Sequence, residues 1–158
     1  MSTRSVIARE TPAGFTGRYV HWDGYPSGVG ETIWRLYRGR FGRDLDAMLS
    51  ELIDGHPAGW SVLCGDWSLP LGSHPDAPKC YCHGGSPEPA CELTQSDAAL
   101  SWCEYAYALG RDTAGRAVTR ILVPAGARDT GTWKEVVTVD LDADGGPDFE
   151  AIDRAVRG

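Results

Sequence analysis

Strand-like alternation marks residues 5–22 and 102–141, and helical spacing of apolar positions marks residues 33–53. Residues 5–9 and 15–22 read as two strands, with turn chemistry at Thr11-Pro12-Ala13-Gly14 between them. In the second strand Phe15, Gly17, Tyr19 and His21 share one face, and Thr16, Arg18, Val20 and Trp22 share the other. After a turn-rich link, Ile33, Leu36, Tyr37 and Phe41 form a helical stripe with Trp34 beside it, and Ser27 is the candidate cap. Leu45, Met48, Leu49, Leu52 and Ile53 form a second stripe, bounded by Asp44 at its start and Gly55-His56-Pro57 at its stop. Residues 60–63 read as a short strand or an extended core segment. Three further strands are predicted at 102–109, 117–123 and 133–141. Their links, Asp112-Thr113-Ala114-Gly115 and 125–131, favour an antiparallel meander. Phe149, Ile152 and Val156 predict a last helix capped by Asp148.

These elements predict an α+β fold in one domain over residues 1–158. The sheet is expected to be mostly antiparallel, with about four to five strands. Two or three helices are expected on one face. The other face would be open to carry an aromatic site.

The pattern fails over residues 65–92, where Pro, Gly, Asp, Ser, His and Cys dominate. A structureless loop of that length is rare inside a domain, so something other than regular pairing must hold it. One device is docking of Trp67 and Leu69 on the core. The other is a metal. Cys80, Cys82, His83 and Cys91 offer a Cys3His set for a structural zinc ion, with His74 or Cys64 able to replace one of them. A single residue separates Cys80 from Cys82, closer than usual structural spacing. Adjacent ligands at 82 and 83 need a sharply bent backbone, which Gly84-Gly85 would permit. The same residues admit unliganded thiols, or a reactive thiol at Cys82 or Cys80 with His83 or His74 as base.

Composition changes this picture in three ways. A 158-residue chain with 42% apolar residues can bury one core. Six Trp and six Tyr exceed what a core needs, and Trp22, Tyr25, Trp34 and Trp67 become candidates for a recognition surface. The formal net charge of −7 repels phosphate backbones, which disfavours nucleic acid as partner. Thirteen of the 15 basic residues are Arg, and Arg35, Arg38, Arg40 and Arg43 make the one local basic run that would support it. No apolar run reaches 18 residues, so no membrane span is expected. The opening Met1–Ser5 leads into only three apolar residues, too few for a signal segment, which predicts a cytoplasmic location. Five cysteines in that setting suit reduced thiols or metal ligands.

The link Trp22-Asp23-Gly24-Tyr25-Pro26-Ser27-Gly28-Val29-Gly30 runs from strand to helix. Backbone N–H groups there can bind an anion, or the segment is a rigid corner in which Asp23 and Ser27 bond nearby backbone. It lacks the spacing of a phosphate-binding or dinucleotide-binding loop. Near the end, Asp140, Asp142, Asp144 and Gly145 match half a calcium loop, but Ala151 stands where the bidentate Glu belongs.

Thr3-Arg4-Ser5, the Trp22–Gly28 string and Tyr81-Cys82-His83-Gly84 together resemble a group of small uncharacterised proteins of bacterial, especially actinobacterial, and phage genomes. That group has no established activity. The resemblance implies a cytoplasmic setting and draws attention to Arg4, Asp23, Tyr25 and His83, but it transfers no catalytic role.

Three functions follow as expectations. The first is a non-enzymatic, zinc-stabilised binding protein that recognises a protein or small-molecule ligand through Arg4, Trp22, Asp23 and Tyr25. The second is a hydrolase of a nucleotide or other phosphorylated small molecule, with His21 or His83 as acid–base, Asp23 as partner and Arg4 as anion clamp; it requires these groups to share one cleft. The third is a nucleic-acid binder built on the arginines of residues 35–43.

Overall fold

The computed structural model describes residues 2–83 and 87–157. Strand β1 (Ser5–Thr11) begins Ser-Val-Ile-Ala, four buried residues with no alternation. Such a run marks a strand covered on both faces. It lies inside an eight-stranded sheet, antiparallel to β2 (Gly14–Val20) and parallel to β6 (Tyr105–Arg111). The remaining strands are β3 (Trp60–Val62), β4 (Lys79–Cys80), β5 (Leu93–Thr94), β7 (Ala117–Pro124) and β8 (Trp133–Asp140). The order is β4-β3-β2-β1-β6-β7-β8, and β5 pairs with the start of β2.

A wide helical turn at Pro26–Gly30 leads into α1 (Glu31–Arg38), which buries Ile33, Leu36 and Tyr37. Helix α2 (Leu45–Leu49) starts where the Asp44 carboxylate accepts the Ala47 N–H at 3.0 Å. It continues through a second wide turn, Ser50–Asp54, that buries Leu52 and Ile53. Helix α3 (Gln95–Leu100) carries a reciprocal cap between Thr94 and Asp97. Helix α4 (Phe149–Arg157) starts at Asp148, whose carboxylate accepts the Ala151 N–H at 3.0 Å.

The main core lies on one face of the sheet. Ile7, Tyr107, Leu109, Ile121 and Val139 meet Val29, Ile33, Tyr37, Met48, Leu52 and Phe149 there. The opposite face holds a smaller core of Val6, Ala8, Phe15, Ala106 and Ala108, which α3 covers with Ala98.

The α+β expectation stands, with three corrections. Among the described residues the sheet has eight strands, not four or five; it is mostly antiparallel, as expected, with two parallel pairings that make it mixed. There are four α-helices among the described residues, not two or three. They pack on both faces, so the second face is not the open aromatic platform expected. The added strands β4 and β5 have two residues each, too few to show a period, and α3 has six with only a small apolar stripe. The β1–β6 parallel pairing joins residues a hundred positions apart, such as Ser5 with Tyr105, which local spacing cannot reveal.

The long central segment is held in two ways. Trp67 docks at its start, with its indole N–H donating to the Leu63 carbonyl at 2.9 Å and its ring 5.6 Å from Trp60. Ala77 and Pro78 are buried ahead of β4, which then pairs with β3. Beyond β4, among the described residues before β5, the backbone bonds are isolated ones, such as Tyr81 N–H to Gly59 O at 3.0 Å and Cys91 N–H to Pro57 O at 2.8 Å.

Candidate metal centre and neighbouring cleft

The second stripe ends at Gly55, and the chain turns through His56-Pro57-Ala58-Gly59 before β3. This turn folds back against the Cys80–His83 segment because Trp60 pairs with Cys80 across β3 and β4. Trp60 anchors the arrangement. It is fully buried, its indole N–H donates to the Leu52 carbonyl at 2.9 Å, and its ring lies 4.3 Å from that of His56. The His56 ring in turn meets the edge of His83 at 5.1 Å.

Four donor groups converge there. One ligand atom from each of His56, Cys80, Cys82 and His83 lies within 4.8 Å of all the others. The Cys80 sulfur is 3.1 Å from His83 Nδ1. The Cys82 sulfur is 3.3 Å from His83 Nδ1 and 3.5 Å from His56 Nδ1. Zinc bonds of about 2.3 Å to sulfur and 2.0–2.1 Å to nitrogen set a tetrahedral S···N edge of roughly 3.6 Å. These three S···N pairs sit at or inside that edge, and the remaining donor pairs lie within 4.8 Å. Two thiols and two imidazoles form a Cys2His2 set able to hold a metal ion, and four protein ligands would close a tetrahedron around it. Burial lowers the His56 pKa, aided by nearby His83, so its imidazole is kept in the neutral form that binds metal.

Of the expected ligands the structure brings Cys80, Cys82 and His83 together and leaves Cys91 out. Cys91 is exposed, and its main chain is engaged with Pro57. Cys64 lies instead under Asp23, and exposed His74 pairs with Asp76 at 3.6 Å. His56 takes the fourth corner. Its position in a helix stop disguised it; the available signal was its buried neighbour Trp60, set four residues on. Gly84 and Gly85, expected to permit the bend, lie outside the described residues. A nucleophilic thiol is poorly supported: burial and the Cys80 thiol push the Cys82 pKa up, the opposite of what a nucleophile needs.

A cleft of about 480 Å³ opens nearby, between the Asp23–Thr32 corner and the segment Cys64–Trp67. Asp23, Tyr25, Glu31, Arg35, Arg40 and Trp67 line it. Its floor is rigid. Asp23 adopts a left-handed backbone (φ +58), and its carbonyl accepts the Val29 N–H at 2.9 Å. A Cβ at Gly28 would come within 2.1 Å of that carbonyl, so only glycine fits there. The Tyr107 hydroxyl donates to the Gly24 carbonyl at 2.6 Å from the core beneath.

The corner does not present an open anion site. The buried Asp153 carboxylate of α4 accepts the Ser27 N–H at 3.1 Å and also the Ser27 hydroxyl. The chain thus places its own anion at the helix start. Ser27 therefore bonds to α4 and is not the helix cap it was expected to be.

Asp23 and Tyr25 share the cleft, whereas Arg4, His21 and Trp22 do not line it. His21 Nδ1 is 2.7 Å from the Tyr19 hydroxyl, and the Trp22 ring packs edge-on against His21 at 4.7 Å. Of the set expected of a hydrolase, Arg4 and His21 both meet Tyr19, whereas Asp23 lines the cleft and His83 belongs to the metal cluster. The arginine run is also engaged. Arg38 lies over the Trp34 ring at 4.4 Å and donates to the carbonyls of Leu141 at 2.9 Å and Ala143 at 2.5 Å. Arg40 pairs with Glu51, Arg35 with Glu31, and Arg43 reaches the Asp142 carbonyl. In the half calcium loop, Asp142 accepts the Tyr37 hydroxyl at 2.5 Å and the Ala117 N–H at 3.0 Å, and Asp140 accepts Arg116 at 2.8 Å. Among the described residues no helix is long and apolar enough to cross a membrane.

Comparison with protein-family models, with curated proteins and with solved structures finds no match. The functional reading therefore rests on geometry.

Proposed function

We propose that this chain is a zinc-stapled binding protein. His56, Cys80, Cys82 and His83 hold one Zn²⁺, and the cleft beside Asp23 and Tyr25 recognises a small molecule or a side chain of a protein partner. The observation that carries the reading is the convergence of two thiols and two imidazoles within 4.8 Å of one another, with three S···N distances near the edge of a zinc tetrahedron. The ion would supply coordination bonds that tie the 80–83 segment to the 56–59 turn, where the backbone provides few bonds. A closed ligand set leaves no position for a metal-bound water, which favours a structural role over hydrolysis. Trp60 touches both His56 and Trp67, so the staple lies one residue away from the cleft wall. A thiol-containing site suits a reducing compartment, consistent with the cytoplasmic location and the actinobacterial and phage context proposed from the resemblance.

Elemental analysis of protein purified without chelator tests the staple. One zinc per chain is expected, falling below one tenth in Cys80→Ser and in His56→Ala. Metal-free wild-type protein that also fails to take up added Zn²⁺ would overturn the assignment.

A further inference from the structure

We infer that the cleft binds a cationic group, an ammonium or guanidinium, on the carboxylate of Asp23; this names the ligand class of the recognition surface proposed above and rests on that reading. Four charged side chains line the cleft, and three of them already have partners. Arg40 is held by both oxygens of Glu51, at 2.7 and 3.2 Å, and lies over the Trp67 ring at 5.1 Å. Arg35 is 74% exposed and leans on Glu31 at 3.4 Å. Asp23 alone pairs with no cation among the described residues. Its one side-chain partner is the neutral Tyr25 hydroxyl, 3.2 Å from Oδ1, which leaves Oδ2 open.

The surroundings suit the same ligand. The Asp23 backbone is pinned by the Val29 N–H and by the close approach of Gly28, so the carboxylate is presented at little cost in ordering. The Tyr25 and Trp67 rings each already carry a guanidinium, Arg157 at 6.0 Å and Arg40 at 5.1 Å, so the aromatic walls of the cleft are ones on which cations settle. An anion meets the opposite conditions. The Ser27 donors at the helix start are taken by Asp153, and the unpaired charge of Asp23 repels it. Covalent capture is not built in: burial pushes the Cys64 thiol up to about 11, so it stays protonated near neutral pH. The volume, about 480 Å³, accepts a small amine or a Lys or Arg side chain with its flanking backbone.

The test is an NMR titration of the full chain, with metal content measured on the same sample and the Trp67 indole N–H signal assigned through Trp67→Phe. Agmatine and cadaverine represent free amines and guanidines. Acetyl-Gly-Arg-Gly-amide and acetyl-Gly-Lys-Gly-amide represent a polypeptide source, and acetate and inorganic phosphate are the anionic arm. Saturable shifts of the Trp67 signal are expected with cationic probes and not with anions, and the probe class that saturates at lower concentration names the source. Asp23→Asn should weaken binding about tenfold or more by removing a charge-assisted bond. Asn tolerates the left-handed backbone, so this variant keeps the fold. Asp129→Asn, outside the cleft, should bind as wild type does. Native spectra without a saturable response to any cationic probe would overturn the inference, as would a response to anions or an unaltered Asp23→Asn. A folded, zinc-free protein that still binds the amines would sink the staple and leave this inference standing. A zinc-loaded protein indifferent to them would do the reverse.

Discussion

The β6–β7–β8 meander and the segment from Gly65 to Cys91 are both built from the middle and latter half of the chain, but they are stabilised in different ways. In the meander, Ala106–Arg111 pairs residue by residue with Leu122–Ala117, and Val118–Pro124 pairs with Asp140–Trp133 around one irregularity. Every contact there has neighbours that do the same job. In the central segment a docked indole, a two-residue strand and a cluster of four ligand groups each act alone. A region held by repetition loses stability in proportion to what is removed. A region held by single points loses its order when one point goes.

The largest expected effect comes from the staple. Cys82→Ser should cost about 4 kcal/mol in urea unfolding at saturating zinc, the linkage stabilisation at a free metal concentration a thousandfold above the dissociation constant. With a strong chelator present, wild type and variant should agree within about 1 kcal/mol. Hydrogen exchange should show lost protection at Tyr81 and Cys91 on chelation, with β6–β8 unaffected. A wild type whose stability does not respond to zinc or chelator would erase the contrast between the two regions.

The meander provides the counterpart. Ile121 is fully buried at its centre. Ile121→Ala should cost about 3 kcal/mol through lost burial and the cavity left behind. The loss should be the same with and without zinc, because the site is far from the ligands in the sheet order. A zinc-dependent penalty at Ile121 would show that the two regions unfold as one coupled unit.

How much of this was legible in the sequence follows the same division. The meander strands and the stripes of α1 and α2 were readable because apolar residues repeat, and repetition leaves a period. Cys80, Cys82 and His83 were readable because their residue types are rare and close together. His56 was not, because a histidine between Gly55 and Pro57 reads as a helix stop, and its approach to Cys82 is made by the pairing of Trp60 with Cys80. Cys91 misled by spacing alone. The partners of Asp153 and Asp142 were equally hidden: Ser27 and Tyr37 lie more than a hundred residues away, brought there by packing of α4 on the Pro26–Gly30 turn and of the β8–α4 loop on α1.

A smaller effect tests the end of the sheet. The Tyr37 hydroxyl, followed by the Ala117 N–H, holds the Asp142 carboxyl below its ordinary value, while Tyr37 is pushed up to about 12. A carboxylate with a lowered folded pKa adds stability that is complete above its unfolded value, about 4, and is lost as pH falls through the folded one. Asp142→Asn should therefore cost about 1–2 kcal/mol at pH 7, and the difference from wild type should shrink below about pH 4. The staple fails at higher pH, since thiolate and imidazole ligands take up protons before carboxylates do. Acid titration followed by Trp fluorescence and zinc release should resolve two steps, with the central segment going first. One merged transition would mean that loss of zinc brings down the sheet.

The smallest effect belongs to Cys91, and it discriminates most sharply between the two candidate ligand sets. Exposed and outside the cluster, Cys91 should be replaceable by Ser with zinc content unchanged and stability altered by no more than about 0.5 kcal/mol. The five thiols should also react in a fixed order with an aromatic disulfide reagent. Cys91 reacts first because it is open to solvent. Under the proposed staple, Cys80 and Cys82 should react only after chelation, because coordination would hold both sulfurs. Cys64 and Cys103 react last, on unfolding, because burial raises them to about 11 and about 12. A Cys91 that stays silent until the metal is removed, together with zinc loss in Cys91→Ser, would restore it as a ligand and displace His56. The turn at 56–59 would then carry no staple, and the link between the metal and the cleft wall through Trp60 would go with it.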